Sequence, residues 1–119
     1  MKNKDVCLDF LNKEISRTQN LFIEAKIKGG YKGNILYSYG YHFPLCILLN
    51  DNTILINENS YSQTTAVHKG HLCRCLGFKD FKDLEKNKTD DILIFNTEDL
   101  KKILDADIST LQELIQSKI

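Results

Sequence analysis

Over residues 21–28 the apolar positions Leu21, Ile23, Ala25 and Ile27 alternate with Phe22, Glu24, Lys26 and Lys28, and Gly29-Gly30 ends the run. A period of two predicts a half-buried strand closed by a turn. A second alternation over 34–41 sets Ile35, Tyr37, Tyr39 and Tyr41 against Leu36, Ser38, Gly40 and His42. It predicts a strand with the three tyrosines on one face. The chain's one proline, Pro44, is expected to break or bend that strand near an edge before the apolar run 45–49 resumes pairing. Asn50-Asp51-Asn52 tolerates positive φ and is expected to turn a hairpin onto residues 53–56, and 91–95 reads as one more compact strand.

Elsewhere the period is helical. Residues 4–16 place Val6, Cys7, Phe10, Leu11 and Ile15 on one stripe. In 65–76 the positions Val67, His68, His71, Leu72, Cys75 and Leu76 share helical spacing. Ser62, Thr64 and Thr65 supply capping oxygens before that helix, and Gly77 stands where a left-handed residue would end it. Phe81 and Leu84 mark a short helix within 79–88. Thr97 caps one carrying Leu100, Ile103 and Leu104, and Ser109 caps a last one with Leu111, Leu114 and Ile115. The order predicts one α+β domain over 1–119, a small mainly antiparallel sheet of three to five strands covered by helices on one face.

Composition narrows the classes. At 119 residues and 42% apolar the chain can bury a core as a single domain, and 16 basic residues balance 16 acidic ones, so no bulk field draws it to nucleic acid or anionic lipid. The charge is nonetheless segregated: residues 89–119 carry three Lys/Arg against seven Asp/Glu, whereas residues 1–33 carry seven against four. Asp99, Asp105 and Asp107 in that acidic segment are candidate contacts for a basic partner. No stretch has the length or apolarity of a membrane span or signal core, so a cytoplasmic protein with reduced thiols is expected.

Three constellations bear on chemistry. His68, His71 and Cys75 follow helical spacing, and with Cys46 or His42 as a fourth ligand they would hold zinc; the same residues also read as surface or core-edge histidines and buried thiols. Without that site no cofactor is expected. Tyr37, Tyr39, Tyr41 and His42, with Lys26, Lys28, Tyr31 and Lys32 nearby, form a row on which bases could stack or a protein could dock, and the rings are equally explained as half-covered by a helix. Catalysis would draw on Tyr61, Ser62, His42, His68 and His71, but no nucleophile elbow, phosphate loop or His-Glu-x-x-His accompanies them.

The motif Tyr61-Ser62-x-Thr64-Thr65-x-x-His68, preceded by Ser38-Tyr39-Gly40-x-His42-Phe43-Pro44-Leu45 and Ile54-Leu55-Ile56-Asn57, resembles a group of small uncharacterised proteins of bacteriophages and plasmids. The likeness spans about residues 34–76. It implies a mobile-element setting and a hairpin-then-helix core. Small proteins of that setting commonly act by occupying a host surface, so the leading expectation is a non-catalytic binding protein that blocks or modulates a host defence or nucleic-acid machine, an anti-CRISPR inhibitor being one such class. Its contacts would include the tyrosine row, Lys32, His42 and Tyr61. The alternatives are a small nucleic-acid-binding module and a metal-dependent hydrolase centred on His68 and His71.

Overall fold

The computed structural model describes residues 2–28, 31–60, 62–105 and 108–118; for residues 26–28, 31, 32 and 108 the backbone alone is described. The chain runs α1 (Asn3–Leu11), β1 (Leu21–Lys28), β2 (Tyr31–Ser38), β3 (Pro44–Leu49), β4 (Ile54–Asn57), α2 (Gln63–Cys75), α3 (Phe81–Asn87), β5 (Ile92–Phe95), α4 (Thr97–Asp105) and α5 (Ile108–Gln116). The strands lie in sequence order in one five-stranded sheet, antiparallel from β1 to β4 and parallel between β4 and β5. A parallel neighbour needs a long crossover, and α2 with α3 provides it. The α+β single-domain architecture is the expected one.

The covering differs from expectation. Helices lie on both faces: Val6, Cys7, Phe10, Leu72, Cys73 and Leu84 of α1, α2 and α3 pack with Leu36, Cys46 and Ile56, while Leu100, Ile103, Leu104 and Leu111 of α4 and α5 pack with Ile35, Ile47, Leu55 and Phe95. The physical reason lies in β3 and β4. Every residue of both strands is buried, so each side of them needs a hydrophobic partner.

Three boundaries also moved. α1 ends at Leu11, because Lys13 turns into positive φ (61°), and Ile15, expected on its buried stripe, is 59% exposed beyond it. β2 ends at Ser38 instead of reaching Tyr41, since Tyr39 (φ 72°) and Gly40 (φ 150°) turn the chain. Pro44 begins β3 opposite Tyr37, next to a register shift between Leu36 and Tyr37, so it opens a strand and its missing N–H is tolerated.

The expected hairpin turn at Asn50–Asn52 is present, with Asn52 at φ 71°, and the α2 caps are local and complete. Ser62 Oγ accepts from the Thr65 backbone N–H at 3.3 Å, and Thr65 Oγ1 accepts from the Ser62 N–H at 2.8 Å. The reciprocal box places the helix start at Ser62. Gly77 takes φ 96° at the other end, its N–H donating to the Arg74 carbonyl while that of Phe78 donates to Cys73. Replacing Ser62 with Ala is expected to cost about 1 kcal/mol in a denaturant titration, whereas Thr64→Ala should stay within about 0.5 kcal/mol of the parent. Equal losses for the two would relocate the cap.

Beyond β4 the chain is held by polar contacts. Asn57 Nδ2 donates to the Pro44 carbonyl (2.8 Å) and to Thr97 Oγ1 (2.9 Å), and Asn59 Oδ1 accepts from the Thr97 N–H (2.8 Å). Lys69, only 4% exposed, directs Nζ at the carbonyls of Asn57, Glu58 and Asn59 (3.3, 3.1 and 2.8 Å) and sits 4.3 Å from the centre of the Phe81 ring. Three donors meet three acceptors, and the Glu58 and Glu85 carboxylates act on the same ammonium, which offsets the cost of its burial. Lys69→Met keeps the stem but strips these carbonyls of their donor, and is expected to lower unfolding free energy by about 3 kcal/mol in chemical denaturation.

Candidate aromatic surface

On the α4/α5 face the helix-covered cluster takes in Tyr37 of β2 and has Phe22 of β1 packed at its margin. α4 packs across β3 and β4, while at β1 the same face carries Phe22, partly buried, and Glu24, exposed. The turn after β2 folds Tyr41 back over this area. Its ring lies 5.1 Å from Phe22 and 5.1 Å from Tyr37, edge-on to both, and Phe22 stacks on Tyr37 at 5.3 Å. These are favoured geometries for aromatic pairs. Tyr41 remains 63% exposed, its hydroxyl donating to Glu24 Oε1, and this bond raises the hydroxyl pKa above its ordinary value.

Beside the rings lies a cavity of about 540 Å³ lined by Ile15, Ser16, Arg17, Phe22, Glu24 and Tyr41 among others. The Arg17 guanidinium stands 5.9 Å from the Phe22 ring centre. Ser16 Oγ is buried there without a hydrogen-bond partner. The backbone at Tyr39 is strained by its positive φ and fixed by donation of its N–H to the Asn20 carbonyl at 2.7 Å. One exposed ring, a strained turn and an orphaned hydroxyl coincide at this corner.

The expected tyrosine row is thus corrected. Tyr37 is buried, Tyr39 stands 47% exposed on the turn and joins none of these ring pairs, and only Tyr37 and Tyr41 come together. Strand alternation fails because the turn intervenes. His42 is exposed in the turn, its ring passing within 3.1 Å of the point where a Gly40 Cβ would stand. Of the expected acidic contacts, Asp99 occupies the first turn of α4, where a carboxylate complements the helix dipole, and Asp105 at its far end acts on Tyr37. Tyr61 and Asp107 lie outside the described residues, as do the side chains of Lys26, Lys28, Tyr31 and Lys32. Phe22, Arg17 and Ser16 were missed; Phe22 gave a signal, being an aromatic in the polar phase of β1.

The candidate zinc ligands diverge. His68 is 1% exposed, its Nδ1 is 2.6 Å from Ser38 Oγ, and burial pushes its pKa down, so the neutral ring is favoured. His71 and Cys75 instead line a groove against α1. Cys46 lies in the core near Cys7 and Cys73, where burial raises all three thiols: Cys7 to about 12, Cys73 to about 11 and Cys46 well above the usual value. All four cysteines are free. Among the described residues no group of three or more His, Cys, Asp or Glu is arranged to hold a metal ion, and no helix is long and apolar enough to cross a membrane. No protein-family model, curated protein or solved structure matches the chain.

Because His68 binds its proton more weakly folded than unfolded, its contribution to stability is fully present above the unfolded pKa of about 6.5 and declines as pH falls below it. The melting midpoint is expected to drop from pH 7 to pH 5. In His68→Gln that dependence should flatten, and an unchanged slope would place the titration elsewhere.

Proposed function

We propose that this chain is a non-catalytic binding protein that blocks or modulates a host defence or nucleic-acid machine, in the manner of an anti-CRISPR-type inhibitor, and that it engages its partner through the surface around Tyr41. The observation that carries this reading is the preorganisation of an exposed ring. Tyr41 is held by two aromatic neighbours and a carboxylate, so a partner that covers it gains contact area with little ordering cost.

Charge favours a protein partner with a basic surface over a phosphate backbone. The Tyr37 hydroxyl is raised above its ordinary pKa by burial first, and then by Glu24, Tyr41 and Asp105. Two carboxylates therefore border the rings, against the one described guanidinium of Arg17. Potentials of that sign steer a basic protein surface and repel nucleic acid.

Capture from lysate of the native host, with and without nuclease, identifies the partner. Tyr41→Ala is then expected to weaken binding at least about tenfold in a chain that still folds, its lost ring contacts costing about 1 kcal/mol of stability, and affinity should fall less steeply with added salt than for a phosphate backbone. Nuclease-sensitive capture with a steep salt dependence would replace this reading with the nucleic-acid-binding module.

A further inference from the structure

We infer that the groove between α1 and α2 is a binding site for a small phosphate monoester. The groove encloses about 330 Å³ and is lined by Lys4 and Leu8 of α1 and by His71, Arg74 and Cys75 of α2. That volume is at the lower end of small-molecule sites. Arg74 Nη2 lies 3.2 Å from His71 Nδ1, so guanidinium and imidazole are held together, and the Cys75 thiol rests 3.9 Å from the Lys4 carbonyl. The neighbouring charges that act on both His71 and Cys75 are the Arg74 and Lys4 cations. Two cations and an imidazole thus converge on one small concavity. A guanidinium fork matches the oxygens of a phosphate dianion, with a lysine as a second point charge.

Gly70 is an independent observation. It stands inside α2, where glycine is disfavoured relative to alanine, with no turn or positive φ to require it. A Cβ there would come within 3.2 Å of Arg74 Nη1. The missing side chain lets the guanidinium fold back over the helix beside His71. A Cβ at this position would require the exposed guanidinium tip to give by a few tenths of an ångström. Leu8, 42% exposed, supplies an apolar wall for a small organic group attached to the phosphate.

The test is a titration of the full chain with inorganic phosphate, phenyl phosphate and a short oligothymidylate, followed through backbone amide shifts. Both small phosphates are expected to shift Leu8, His71 and Arg74 saturably, phenyl phosphate binding more tightly. Arg74→Gln should weaken both at least about tenfold. Gly70→Ala should raise the melting midpoint yet weaken binding, a pair of opposite effects that a merely structural glycine would not produce. Should Arg74→Gln fail to fold, Lys4→Gln on the exposed first turn of α1 serves in its place. Absence of a saturable shift, binding of the oligonucleotide alone, or undiminished affinity in the charge-removed variant would each overturn the proposal.

Discussion

The architecture depends on the burial of β3 and β4 on both sides. Strands such as 45–49 and 54–56, apolar at every position, cannot present one face to water, so the fold must place a hydrophobic layer on each side. The crossover α2–α3 fills one side on its way to the parallel strand β5, and the chain beyond β5 supplies α4 and α5 for the other. Where the parallel pair ends, the loop carbonyls cannot continue a ladder. Lys69 donates to the carbonyls of residues 57–59 while the Asn57 amide donates to the Pro44 carbonyl and Thr97 Oγ1, tying β3, β4, α2 and the start of α4 into one polar joint.

The candidate contact surface is a by-product of the same geometry. The α4/α5 cluster takes in Tyr37 and, at its margin, the partly buried Phe22, and Tyr41 adds a third ring on the outer side of that pair. The edge itself is shielded at its beginning: Thr18 N–H donates to the Leu21 carbonyl (2.8 Å) and Ile23 N–H to that of Ser16 (3.3 Å). The backbone that brings Arg17 to the rings therefore also caps a strand edge. The strand-edge cap and the proposed contact surface share these residues.

On the other face α1 and α2 meet over Cys7, Cys73 and Leu72, and their outer seam gathers Lys4, His71 and Arg74. Burial disfavours the thiolate form of the cysteines below, while the same helices carry cations at their rims. Two residues of one helix only three apart, His68 and His71, thereby have unlike roles. One is a neutral core ring bonded to Ser38, and the other a half-buried groove residue.

Much of the fold was legible in the sequence because it is written in local terms. Alternation over 21–28, the apolar runs at 45–49 and 91–95, the Asn50–Asn52 turn and the Gly77 stop each depend on neighbours a few residues away, and period and turn chemistry report such neighbours directly. What only the tertiary structure decided is everything requiring distance in sequence: helices on both faces, Tyr41 against Phe22, Arg17 and Ser16 beside them, and Lys4 facing Arg74. Even the tyrosine row failed for this reason. A single left-handed residue at Tyr39 ends the alternation, and nothing in the spacing of Tyr37, Tyr39 and Tyr41 distinguishes a continuing strand from a turn that returns the third ring to the first.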